Sequence, residues 1–123
     1  MSEISAPAPS ETLLPFAESD PAASADTLRA TMDKQGYLFF RRLIPVQDVI
    51  AVRQAVLELC RAAGWLDRSR ELLDAVVAAD MQPTTEGQPA YMAVYRQVLK
   101  LPSFHDFPCH PALLRIAQAL LGG

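Results

Sequence analysis

The sequence has few of the features that mark specialised classes of protein. Its 123 residues include two cysteines, too few for a fold held together by disulfides. Lys and Arg total 11 against 14 Asp and Glu, giving a net charge of −3, whereas nucleic-acid surfaces normally need a basic excess. No apolar run approaches the ~18 residues of a membrane helix, and no basic segment precedes an apolar one as in a secretory signal. We therefore expect a cytoplasmic protein with neither a membrane span nor a nucleic-acid partner.

Small residues and proline are concentrated at the N-terminus. Residues 1–25 contain four prolines, six alanines and five serines, and no apolar period of 2 or 3.6 persists there. The five charged residues between positions 1 and 28 are all acidic. This composition predicts a mobile acidic leader over residues 1–25 and an ordered helical segment over residues 26–123.

The ordered segment predicts a mainly α fold with four to five helices and one or two short strands. Residues 37–41 are aromatic-rich and predict a strand, and residues 81–89 predict a loop. The strongest helical stripe steps by three and four residues between Val49 and Ala63. Helices are predicted over about 26–35, 46–63 and 90–101, from a cap at Asp67 or Ser69 through Ala79, and from Pro111 onward.

The chain's two histidines lie near its C-terminal end. His105 and His110 flank Asp106 and Cys109, and all four are residue types that can bind zinc or iron. The spacing matches no familiar metal site, and Pro108 interrupts it. A loop with capping and packing roles is the favoured interpretation, with a metal site through His105, Cys109 and His110 as a hypothesis to test.

The other candidate residues give little indication of a catalytic or binding site. Ser103, His105 and Asp106 have the residue types of a catalytic triad without its usual dispersion through a fold. Cys60 falls in a predicted apolar stripe and is expected to be an inert thiol. Arg41 and Arg42 could meet an anion but suit a solvated strand end better, and Tyr91 and Tyr95 are spaced for packing. No phosphate-binding loop is present. The residues predict no catalytic, cofactor-binding or metal-binding position.

The order of the segments is more informative than any single residue. A short helix precedes Gly36-Tyr37 and an apolar strand, and Ile44-Pro45 opens a long helix that ends in Gly64-Trp65-Leu66. A helix with Tyr91 and Tyr95 follows, and His110-Pro111 then opens a helix that runs to Leu121-Gly122. Over residues 28–122 this succession resembles the N-terminal region of phytanoyl-CoA dioxygenase-like proteins.

The resemblance implies an oxygenase that uses non-haem Fe(II), 2-oxoglutarate and O2 on a double-stranded β-helix. Its iron is held by a His-x-Asp…His triad, which this sequence lacks because Asp106 follows His105 directly. No catalytic residue of the family can be placed on this chain. The resemblance therefore implies an incomplete, inactive N-terminal helical part, whose partner is a C-terminal barrel portion on the same or another chain. The alternative hypothesis is a small helical interaction module without catalysis.

Overall fold

The N-terminal unit, Met1–Arg41, is one of two units into which the chain divides. A computed structural model describes residues 13–122, so the first half of the predicted leader lies outside the described residues. Helix α1 spans Ala25–Gln35, as the sequence predicted. The Ser24 hydroxyl accepts a hydrogen bond from the Thr27 N–H at 3.1 Å, which satisfies a free donor of the first turn. Gly36, at φ 80°, ends the helix in a conformation that favours glycine.

The aromatic segment of the N-terminal unit pairs with residues 16–19, which the composition assigned to the leader. Glu18 and Phe39 form a single parallel β-bridge, and the Ser19 N–H donates to the Phe39 carbonyl at 2.7 Å. The Phe16 ring packs against Tyr37 and Phe39, with centroid distances of 5.0 and 5.7 Å. The predicted strand is thus an extended segment with one bridge.

The C-terminal unit, Arg42–Gly123, is built from four α-helices and two short 3-10 helices within its described residues. The predicted mainly α class is confirmed, and residues 13–122 contain no sheet, only two isolated bridges. None of the helices in this range is both long and apolar enough to span a membrane. The α-helices are α2 (Val46–Ala62), α3 (Pro89–Val98), α4 (Pro102–Asp106) and α5 (Pro111–Leu121), and the 3-10 helices are Leu72–Asp74 and Phe107–Cys109.

The prediction of a helix from Asp67 or Ser69 through Ala79 is wrong. Asp67 accepts hydrogen bonds from both the backbone N–H and the hydroxyl of Ser69, as a helix cap would, but the backbone of Glu71 is extended (ψ 140°) and breaks the helix. These bonds also lower the pKa of the Asp67 carboxyl. Leu72–Asp74 forms one 3-10 turn, and Ala75 then takes a left-handed φ of 52°. The chain is thereby redirected so that Val77 forms an antiparallel bridge with Leu66.

Little apolar surface is fully buried in either unit. Among the described residues only Leu28, Val94 and Ile116 are buried hydrophobics, at 2, 4 and 9 % exposure. Val49, at the start of the predicted stripe of α2, is 42 % exposed, and the stripe is covered only in part. Twelve large hydrophobic side chains are exposed: Leu13, Leu14, Phe16, Val46, Val49, Leu73, Val77, Tyr95, Leu99, Phe104, Leu114 and Leu121.

Candidate functional site

The histidine-containing segment lies beside the N-terminal half of α2. Helix α4, the 3-10 helix after it and the start of α5 line an open cleft of about 520 Å³ together with α2. The cleft brings four sequence-selected residues to one place, although His105 is absent from its lining. Its walls are Asp48, Ala51, Val52, Ser103, Asp106, Phe107, Cys109, His110 and Pro111.

His110 is the best-positioned polar group of this cleft. Its side chain is 19 % exposed, and Nε2 lies 2.9 Å from Oδ2 of Asp48 on α2. Its Nδ1 accepts a hydrogen bond from the Ala112 N–H at 3.1 Å, and this bond caps the first turn of α5. The residue therefore joins two helices that are distant in sequence.

These two hydrogen bonds define the protonation state of His110 in this arrangement. A nitrogen that accepts from a backbone N–H carries no proton, so Nδ1 is bare and Nε2 carries the hydrogen. Nε2 then donates to the Asp48 carboxylate. A histidine used as a general base needs a free ring nitrogen within reach of substrate. Both nitrogens of His110 are already engaged, so the arrangement favours a structural link over acid–base catalysis.

The remaining candidate groups do not assemble into a triad or a metal site. The His105 Nε2 bonds to the backbone carbonyl of Leu99, so it must carry the proton and donate to that oxygen. No hydrogen bond joins His105 to Ser103 or Asp106 in the described part of the chain. Within residues 13–122 no group of three His, Cys, Asp or Glu side chains is placed to hold a metal ion.

A second, more apolar cavity lies between α2 and α3. It has a volume of about 250 Å³ and contains the buried Val94 and the half-buried Cys60 in its wall. Tyr91 and Tyr95, one helical turn apart, stack there with ring centroids 5.9 Å apart. The pair packs as its spacing predicted. The full lining is Val56, Cys60, Trp65, Tyr91, Val94, Tyr95, Val98 and Phe104.

The two cysteines are expected to react at different rates. Burial raises the pKa of the Cys60 thiol, which lowers the fraction of reactive thiolate, whereas Cys109 is exposed. We expect iodoacetamide at pH 8 to alkylate Cys60 several times more slowly than Cys109, as measured by peptide mass spectrometry. In 8 M urea the two rates should converge. Equal rates in the native chain would contradict the partial burial of Cys60.

The two arginines at the end of the aromatic segment differ in their surroundings. The Arg41 Nε lies 3.8 Å from a Glu18 carboxylate oxygen, and its guanidinium lies 5.2 Å from the Phe39 ring centroid. Arg41 therefore belongs to a solvent-exposed ion pair, in keeping with a solvated segment end. Arg42 is exposed and has a φ of 59°, which is uncommon for a side chain of this size.

The Asp48–His110 contact was missed by the sequence reasoning, because 62 positions separate the two residues. The capping role of His110 could have been recognised from its position directly before Pro111. Proline favours the first position of a helix, which leaves the preceding residue to supply the cap.

No protein-family model, characterised protein or solved structure matches this chain.

Proposed function

We propose that this chain is the N-terminal helical portion of a phytanoyl-CoA dioxygenase-like oxygenase, inactive by itself. The order of elements supports the proposal: α1 ends at Gly36, the aromatic segment follows, and Pro45 precedes α2. Trp65 and Leu66 then lie just beyond α2, and His110-Pro111 opens α5. In the family this region packs outside the barrel and helps to shape its substrate entrance.

The observation that carries the proposal is the uncovered apolar surface of the C-terminal unit. Val94 and Ile116 are its only buried hydrophobics among residues 42–122, whereas Val46, Val77 and Leu121 are 64, 61 and 85 % exposed. Each large apolar side chain gains about 1.5–3 kcal/mol when fully buried. A helical unit with this much exposed apolar surface would be stabilised by a further protein surface, which the barrel portion would supply.

The described residues do not fit the iron site of such an oxygenase. No His-x-Asp pair occurs in the sequence. The ring nitrogens of His110 are bonded to Asp48 and to the Ala112 N–H, and the Nε2 of His105 is bonded to Leu99. In our proposal the groups that hold iron and 2-oxoglutarate therefore belong to the barrel portion, and this segment contributes surface.

The proposal can be tested by extending the chain. The coding DNA beyond the codon for Gly123 is sequenced, and the chain is expressed with and without the encoded extension. We expect the extension to contain a His-x-Asp…His pattern and the extended protein to release succinate from 2-oxoglutarate when Fe(II) is added. The 123-residue chain should release none above a metal-free control. Absence of that pattern both from the extension and from any separate chain that co-purifies with the protein would contradict the proposal, as would iron-dependent turnover by the short chain.

Thermal unfolding of the short chain distinguishes the interaction-module alternative. An incomplete oxygenase portion should be marginally stable, with a broad transition or aggregation on heating, because its apolar surface lacks cover. A sharp, reversible transition from a monodisperse monomer or dimer would favour the self-sufficient helical module. Circular dichroism combined with light scattering measures both properties on one sample.

A further inference from the structure

We propose that His110 is a proton-operated clasp between α2 and α5. In the neutral Nε2–H form, one ring bonds to Asp48 of α2 and to the first turn of α5. Addition of a proton to Nδ1 releases the Ala112 N–H while the bond to Asp48 remains. The clasp is independent of any oxygenase activity, because it uses only contacts within residues 48–112.

The geometry makes the two bonds respond differently to a proton. Nδ1 lies 3.1 Å from the Ala112 nitrogen and can accept that hydrogen only while it is bare. Once protonated, two N–H groups would face each other at this distance. At Nε2 the added positive charge instead strengthens the bond to the Asp48 carboxylate at 2.9 Å. Acid therefore breaks the hydrogen bond to the Ala112 N–H and strengthens the one to Asp48.

The charges around the ring add to this asymmetry. Asp48 on α2 and Asp106 on α4 line the same cleft as His110, together with the Cys109 thiol, and no Lys or Arg does so. A doubly protonated ring would therefore face only carboxylates and a thiol in this cleft. A cation at the N-terminus of α5, however, opposes the helix dipole. Protonation should thus loosen the first turn of α5, near Ala112, while the ring stays attached to α2.

The clasp is possible because His110 is the N-cap of a helix that begins with Pro111. Proline has no N–H, so the first donor that needs a partner is that of Ala112. Asn, Asp, Ser and Thr are the usual caps, and of these only Asp can change its protonation state. An imidazole can lose its acceptor under much milder acid conditions.

Two substitutions each remove one of the two hydrogen bonds of His110 and keep the other. In His110→Asn, the side-chain oxygen occupies about the position of Nδ1 and can keep the cap at any pH, while the link to Asp48 is lost. In His110→Gln, the amide nitrogen occupies about the position of Nε2 and can still donate to Asp48, while the cap is lost. Neither variant can change its protonation state at position 110, so each serves as a control for the other.

The test uses NMR on the full ¹⁵N-labelled chain. Long-range ¹H–¹⁵N spectra at pH 8 should show the His110 Nδ1 unprotonated and Nε2 protonated. Hydrogen exchange at Ala112, corrected for the intrinsic effect of pH, should become about fivefold less protected from pH 8 to pH 5, the factor expected for loss of an N-cap worth about 1 kcal/mol. Protection should stay high in His110→Asn and low in His110→Gln at both pH values.

Three results would overturn the proposal. The first is a protonated Nδ1 at pH 8 in the unmodified chain. The second is equal protection of Ala112 at pH 8 and pH 5, which would show that the cap survives protonation. The third is a loss of protection in His110→Asn as large as in the unmodified chain, which would assign the acid effect to another group. The tautomer measurement needs no variant, so it stands even if a substitution impairs folding.

Discussion

Replacement of Val94 by Asp is expected to abolish the folded state of the C-terminal unit. Val94 is 4 % exposed on α3, and the other residues that line its cavity carry no cation. An aspartate there would lose the apolar contacts of valine and leave a desolvated carboxylate without an ionic partner. We expect a loss of at least about 3 kcal/mol in the free energy of unfolding, comparable to other unpaired buried charges.

The neighbouring residue provides a matched control for this substitution. Ala93 is on the same helix but exposed, so Ala93→Asp adds the same charge to α3 without burying it. Its effect should stay within about 0.5 kcal/mol. Far-UV circular dichroism and urea titration of both variants measure the difference. If Val94→Asp retains the helical signal and the urea midpoint of Ala93→Asp, the Val94 environment is not the apolar core described here.

The helices that local chemistry specifies could be predicted from sequence. Ser24 and Gly36 delimit α1, and Pro111 opens α5, because each residue has a strong preference for its terminal position. The 3.6-residue period predicted α2 within one residue of its observed end at Ala62. These preferences depend on a few neighbouring residues, so a short stretch of sequence is enough to predict where such a helix begins and ends.

The backbone conformation between residues 67 and 79 could not be predicted from apolar spacing alone. Leu72, Leu73, Val76 and Val77 have helical spacing, but the extended backbone of Glu71 and the left-handed Ala75 prevent one continuous helix. The Leu66–Val77 bridge offers the backbone a non-local alternative. Such non-local contacts can override a local helical preference, and the spacing of apolar residues does not reveal them.

The residues of the candidate cleft could be selected from the sequence by type, but the contacts between them could not be predicted. His110, Asp106, Cys109 and Ser103 were selected by residue type, and the fold places them around one cleft. The residue that gives His110 its role is Asp48, which lies on α2 and had no chemical signal beyond its place in a first helical turn. Packing of α2 beside α4 brings it there, and a single sequence does not specify such a pairing.

Replacement of Leu28 by Ala is expected to destabilise the N-terminal unit. Leu28 is the only buried hydrophobic among residues 13–41, at 2 % exposure, so no second buried side chain compensates for its loss. Truncation of a buried leucine costs about 2–5 kcal/mol, including the cavity that remains. We expect the N-terminal unit as a whole to lose stability, so that the bond from the Ser19 N–H to the Phe39 carbonyl opens more often.

Local probes can assign that effect to the N-terminal unit. Hydrogen exchange at Ser19, whose N–H is bonded in the folded unit at 2.7 Å, should approach the unprotected rate in Leu28→Ala. The matched control is Leu14→Ala, which removes the same atoms from a side chain that is 86 % exposed and should change stability by less than about 0.5 kcal/mol. Equal exchange at Ser19 in both variants would mean that Leu28 does not hold this unit together. Loss of protection in Leu28→Ala alone would show that burial of Leu28 stabilises the pairing of Ser19 with Phe39.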